Sequence, residues 1–449
     1  MRLLTEESSG YRGKAQQLLK QAKAEVGDIL RIVKGNETYE GILIPRSEYG
    51  DDKHIVIKLK NGYNTGIRID PETKIQKIGA GTKPTFVAPS LPKQKPNLPK
   101  VAIISTGGTI ASRVDYRTGS VRPALTASDL YSVVPELSEI ATVDAQILFN
   151  IFSEDITGEH WTQLAKTVAE RIEKHEYGIV IAHGTDTMGY TAAALSFALQ
   201  NLPVPVVVVG AQRSADRPSS DSATNLTGAV VAAAKAPFAE VALAMHETPS
   251  DTTIVLHRGT RVRKCHTSRR DTFKSVNSEP LAKIENNEVI MLANKFHERD
   301  SSSRLLIRPD FEGKVALLKF HPDFDPEIID FLVDKGFRGI ILEGTGLGHV
   351  SNVCLPHVRN AIEKGIVVSM TSQCIWGRVD MNVYYRGRDL ISLGVIPLED
   401  MLAETALVKT MWILGQTRDI DEAKRLLTTN IANEISARTL SEASRVEDT

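Results

Sequence analysis

Apolar positions change rhythm along the chain. Residues 11–25 read as a short basic helix. Beyond Gly27-Asp28 the pattern shortens, and Ile29–Val33, Tyr39–Ile44, His54–Leu59 and Ile67–Ile69 predict strands, with Lys60-Asn61-Gly62 as a hairpin turn. Ile55, Ile57 and Leu59 alternate with Val56, Lys58 and Lys60, leaving one consistently apolar face. Four or five such strands within about 55 residues suggest a small closed β-barrel, which hides its edges. Pro84, Pro89, Pro92, Pro96 and Pro99 then punctuate a Lys-bearing stretch without periodicity, the mark of an extended linker.

From Lys100 the pattern becomes α/β. Val101–Ile104, Tyr177–Ala182 and Val206–Val209 are continuous apolar runs, each ended by a polar or glycine-bearing turn. Between them, Glu159–His175 carries Trp161, Leu164, Ala165, Val168 and Ile172 at helical spacing, and Ala192–Leu199 reads as another helix. This alternation predicts a parallel sheet covered on both faces, with sites at the carboxyl ends of the strands. A second α/β unit begins near Gly313, with strands at Val315–Phe320, Gly339–Leu342 and Gly365–Ser369 and a helix around Met401–Leu414. The expected organisation is a helix and barrel over 1–83, a Pro/Lys linker over 84–99, and two α/β domains over 100–312 and 313–449.

Composition narrows the class. The 449 residues are 42% apolar and 24% charged, with a net charge of −1, which argues against disorder, fibre and disulfide scaffold. No apolar run is long enough for a membrane span, and Leu3-Leu4 is too short for a signal peptide. Cys265, Cys354 and Cys374 fit no zinc or redox spacing, so a cytoplasmic protein is expected. The balanced charge hides an asymmetry: residues 1–100 hold 18 Lys and Arg against 11 Asp and Glu, and the remainder 36 against 44. A basic module on an acidic body is compatible with RNA or an acidic partner, though a solvated Lys-rich surface is the commoner reading.

Three polar clusters fall where an α/β fold puts ligands. Thr106-Gly107-Gly108-Thr109 lets the backbone turn tightly and then presents a hydroxyl. His183-Gly184-Thr185-Asp186-Thr187 offers a hydroxyl beside a carboxylate, and Arg261–His266 supplies Lys264. Residues 107–114 lack the lysine of a phosphate loop, and His349 replaces the last glycine of a dinucleotide fingerprint at 344–349. His183, His246, His257 and His266 are too scattered for a metal pair. Thr185, Lys264 and Asp186 compose a relay in which a buried lysine takes the threonine proton and a carboxylate orients it. Thr109 offers a second hydroxyl across the substrate, and the set suits acyl transfer from an amide.

Two of these segments carry a resemblance. Ile104–Ala111 and Ala182–Met188 resemble the two signatures of the bacterial-type L-asparaginase/glutaminase family; Asn150–Asp155 resembles its substrate-binding segment and Val209–Arg213 a further strand end of its active site. The resemblance spans roughly residues 100–430 and implies a two-domain α/β body. It also implies Thr109 as nucleophile, with Thr185, Asp186 and Lys264 as the second catalytic group. By the same resemblance Tyr116 belongs to a loop closing over the site, while Ser153 and Glu154 hold the substrate's α-carboxylate and α-amino groups. Arg263 and Cys265, which flank Lys264, depart from the family's pattern, so Lys264 is located by the Thr272–Asn277 block.

One branch of that family, in archaeal tRNA-dependent amidotransferases, resembles this chain in carrying a small barrel with a Val26-Gly27-Asp28 start. Membership implies glutamine hydrolysis, with ammonia passed to a partner, the amidotransferase's E subunit, that converts Glu-tRNA(Gln) to Gln-tRNA(Gln). It implies no cofactor in this chain, ATP and Mg used by the partner, and a homodimer within a D2E2 assembly that meets tRNA mainly through the partner. The alternatives are a stand-alone cytoplasmic asparaginase/glutaminase and a scaffold on an inactive amidase fold; the set Thr109, Thr185, Asp186 and Lys264 argues against the scaffold.

Overall fold

The structure, a computed structural model, describes residues 11–44, 51–59, 64–80, 97–108, 110, 112–115, 120–123, 130, 134–174, 176–213 and 220–439. Thr109, Tyr116, the 60–62 turn and most of the proline segment lie outside the described residues.

The N-terminal module is a helix, Gly13–Gln21, on a five-stranded antiparallel sheet. Its strand order is Asn64–Arg68, His54–Lys58, Glu37–Leu43, Ile29–Lys34, Lys74–Gly79. Leu30, Ile32, Leu43, Ile55, Ile57 and Ile67 form its buried face, as the period of two requires. The barrel expected from the sequence is not closed here: among the described residues no pairing joins 64–68 to 74–79. The helix covers the apolar face instead. Tyr11, Ala15 and Leu19 enter the same core, and the Tyr11 hydroxyl donates to Ile44 O at 2.8 Å and accepts from Val56 N at 3.0 Å. Burial is thereby achieved without a further pairing.

The next domain is built on an eight-stranded sheet. Five parallel strands lie in the order Thr142–Ile147, Lys100–Ser105, Gly178–Ala182, Val206–Val209, Val241–His246. Side chains alternate between two cores: Val101, Ile103, Val180 and Val207 pack towards the Ser222–Lys235 helix, while Ala102, Ile104, Ile179 and Val206 pack towards Gly158–Glu173 and Met188–Ala198. The all-parallel expectation needs correction. Thr253–Arg258, Ala282–Glu285 and Glu288–Met291 extend the sheet antiparallel. Their hairpin turns on Asn286 and Asn287, both at positive φ (50° and 61°), the conformation a two-residue hairpin needs.

The last domain is a four-stranded parallel sheet of Val315–Lys319, Gly339–Gly344, Val367–Ser372 and Ile396–Pro397. Its Ala403–Gln416 helix packs on Met188–Ala198, where Trp412 stacks on Phe197 with ring centroids 5.7 Å apart. No helix among the described residues is long and apolar enough to cross a membrane.

Candidate active site

The chain reverses its direction of winding at the Lys100–Ser105 strand. Its successor in sequence lies on one side, and the following strand, Gly178–Ala182, on the other. Such a switch point opens a crevice at the carboxyl ends of the strands. Four of those ends converge here: Thr106–Gly108, Ser153, His183–Asp186 and Gly210.

The backbones approach so closely that side chains are excluded. Gly107 and Gly108 have φ of 120° and 77°, and a Cβ on Gly108 would stand 2.8 Å from Gly184 N. Thr106 donates both its N–H (2.9 Å) and its hydroxyl (3.1 Å) to Ala182 O, locking the first cluster to the second. Thr187, at the start of the Met188–Ala198 helix, donates its hydroxyl to Ser153 O at 2.6 Å. Ser153 is thus buried beside Gly184, whereas Glu154 is exposed.

Lys264 ends the short strand Val262–Lys264, which pairs with Phe273–Ser275. Its Nζ donates to Thr185 Oγ1 at 2.9 Å and to Asp186 Oδ1 at 2.7 Å. The Lys264 side chain is 16% exposed and that of Asp186 69%, so the carboxylate stands at the solvent side of the ammonium. A protonated lysine donates to both neighbours; a neutral one presents a lone pair to the Thr185 hydroxyl. Lys264, distant in sequence, therefore joins the adjacent pair Thr185 and Asp186 in one hydrogen-bonded unit. Thr109 and Tyr116 lie outside the described residues. On either side of Tyr116 the backbone pairs antiparallel, Ser112–Asp115 with Ser120–Pro123.

Several supports carry no motif. His183 is fully buried between a donor and an acceptor. Nδ1 lies 2.6 Å from Gly184 O and Nε2 lies 2.8 Å from the Thr191 hydroxyl, which also accepts from Trp161 Nε1 at 3.0 Å. Nδ1–H donates to the carbonyl and Nε2 accepts from Thr191, which satisfies the ring as a neutral imidazole. Burial pushes its pKa down to about 4. Asp221 accepts from the N–H groups of Gln212 and Arg213, and Asn225 donates to Gly210 O at 2.9 Å, fixing the turn beside Thr185. Both side chains are fully buried; an Asp and an Asn one turn apart at a helix start are the only trace this support leaves in the sequence. Among the described residues no cluster of His, Cys, Asp and Glu could hold a metal ion.

Residues 100–297 match the family model described as asparaginase, N-terminal, and residues 314–427 that of the glutaminase/asparaginase C-terminal domain. The thermostable L-asparaginase from Thermococcus kodakarensis superposes with a TM-score of 0.69 at 33% identity, over 76% of this chain and all of that one. L-asparaginase I from Vibrio cholerae does so at 0.66 and 29%, over 76% and 99%. Fold and strand-end site together define an asparaginase-type body. Residues 24–78 match the model of the GatD N-terminal domain. The D subunit of the glutamyl-tRNA(Gln) amidotransferase of Pyrococcus abyssi is 51% identical, over 95% of this chain and 98% of its own. That of Methanopyrus kandleri is 50% identical, over 97% and 96%. The chain belongs to the family of glutamyl-tRNA(Gln) amidotransferase D subunits.

Proposed function

We propose that this chain is the glutaminase component of a tRNA-dependent amidotransferase. The observation that carries the reading is the Lys264 ammonium bonded at once to Thr185 and Asp186, which follow the carboxyl end of the parallel strand Gly178–Ala182. In this reading a threonine hydroxyl, that of Thr109, attacks the side-chain amide carbon of glutamine. The Thr185, Lys264 and Asp186 unit handles the protons, the C–N bond breaks, and ammonia leaves; water then releases glutamate from the acyl-threonine. Ser153 and Glu154 hold the α-carboxylate and α-amino groups, and Tyr116 closes over them.

The ammonia passes to a partner, the amidotransferase's E subunit, which converts Glu-tRNA(Gln) to Gln-tRNA(Gln) with ATP and Mg, this chain holding no cofactor of its own. The chain works in the cytoplasm as a homodimer within a D2E2 assembly, and meets tRNA mainly through that partner. A second reading, a stand-alone asparaginase or glutaminase, is favoured by the complete superposition of the Thermococcus asparaginase on the body. Ammonia release from glutamine and from asparagine, with and without the E subunit and Glu-tRNA(Gln), separates the two. The amidotransferase reading expects slow hydrolysis by the isolated chain and much faster hydrolysis in the complex. Equal rates in both conditions favour the stand-alone enzyme.

A further inference from the structure

The N-terminal helix presents two stripes. Ala15 and Leu19 turn into the module's core, while Lys14, Gln17, Leu18 and Gln21, at helical spacing, line an open groove of about 700 Å³. The opposite wall is made by strand ends. Arg68 closes the Asn64–Arg68 strand, Lys53 precedes His54–Lys58 and is tied to Ile69 N through its own carbonyl, and Lys34 ends Ile29–Lys34. The module pairs its cations elsewhere: Arg31 with Glu40 at 2.6 Å and Lys77 with Asp28 at 2.7 Å. Lys14, Lys34, Lys53 and Arg68 make no ion pair within 4 Å among the described residues. Asp70 is the single carboxylate of the lining; it is held by Thr73 at 2.8 Å and feels the field of Lys34.

We propose that this groove binds the phosphodiester backbone of RNA. Cations on two facing walls, held on a helix and on strand ends, focus positive potential into the groove. Long Lys and Arg side chains with amide neighbours are the groups that contact phosphate and sugar. The described lining holds no aromatic ring on which a base could stack, so the contact follows the backbone without reading sequence. The choice of RNA over an acidic protein rests on the function proposed above, in which a tRNA is part of the working complex.

The test uses the full chain and a fluorescently labelled tRNA transcript. Lys14→Ala, Lys34→Ala, Lys53→Ala and Arg68→Ala are combined, with Kd measured by anisotropy across a salt series. The combined variant should bind roughly tenfold or more weakly at low salt, and its salt slope should fall by about 3, since each lost phosphate contact removes about 0.7–0.9. Its ammonia release and its melting temperature should match wild type. Unchanged affinity and slope overturn the proposal. So does a variant that loses only poly-glutamate binding, which would make the groove a protein-docking surface. A wild-type chain that releases no ammonia from glutamine even with the E subunit and Glu-tRNA(Gln) present would sink the proposed function and leave the RNA result standing.

Discussion

Gly210 has no side chain because Thr185 occupies the space: a Cβ on Gly210 would stand 2.7 Å from Thr185 Cγ2 and 3.0 Å from His183 O. The turn cannot retreat, because Asn225 holds the Gly210 carbonyl and Asp221 holds the N–H groups of Gln212 and Arg213. Gly210→Ala must therefore displace Thr185 relative to Lys264. The fold should lose about 1–3 kcal/mol from overpacking. The kcat for ammonia release should fall by roughly 100-fold, since small misplacements of a reacting group are costly. Paired urea unfolding and steady-state kinetics check both; an unaltered kcat would detach Gly210 from the chemistry.

Because Lys264 bonds Thr185 and Asp186 simultaneously, the three should fail together. Thr109→Ala, Thr185→Ala, Asp186→Ala and Lys264→Ala should each abolish most glutamine hydrolysis while leaving the melting temperature near wild type. Groups acting as one unit give strongly non-additive losses. The Thr185→Ala/Lys264→Ala pair should be scarcely slower than either single variant. Substantial activity in two of the four singles would end the relay.

Much of this frame is legible in the residues, for a physical reason. Buried parallel strands are continuous apolar runs, so Val206–Val209 is read to the residue and Lys100–Ser105 to within one. The candidate site groups follow a strand end beside a glycine, which marks Thr185 and Asp186. The antiparallel extension carries no such mark, because its register depends on the Asn286-Asn287 turn and on pairing with a strand distant in sequence. Alternation over-predicts barrel closure: it says that one face is buried but not what buries it, and here Tyr11, Ala15 and Leu19 do. The supports at Asp221, Asn225 and Thr191 form no motif, since a buried hydrogen bond leaves no periodicity.

Lys409 and Glu434 form an ion pair at 2.6 Å with both side chains fully buried. Lys409 also donates to Leu427 O and Thr429 O, and Glu434 accepts from Ile431 N and Ala432 N. Every strong group is satisfied, so removing one partner leaves the other's charge stranded. Lys409→Met and Glu434→Leu should each cost about 3–5 kcal/mol, and the double variant no more than the worse single. The effect reaches the site, because the nearby Asn433 and Ser436 bind Arg261, the residue before the Val262–Lys264 strand. Urea unfolding with ammonia-release kinetics on the same samples should show stability and kcat falling together. Additive losses in the double variant would argue that the pair is not coupled.

Acid should weaken the native state through two buried histidines. Burial pushes the pKa of His183 down to about 4 and that of His257 down to about 3, the latter helped by the charge of Lys274. Both titrate near 6.5 when unfolded, so between about 6.5 and those values the unfolded chain binds protons that the native chain refuses. Their contribution is complete above about pH 6.5 and is lost as pH falls. At pH 5 the deficit is about 2 kcal/mol for each ring. His257 keeps one hydrogen bond, to Ser275 Oγ at 2.8 Å, and among the described residues makes none to Thr185, Asp186 or Lys264, so its replacement leaves their hydrogen bonds in place. His257→Gln should remove roughly half of the stability lost between pH 7 and pH 5, measured as the shift in urea midpoint. His183 must stay neutral to accept from Thr191 while donating to Gly184, so activity should still decline with acid in that variant. A urea midpoint that falls between pH 7 and pH 5 as steeply in His257→Gln as in wild type would place the acid sensitivity elsewhere.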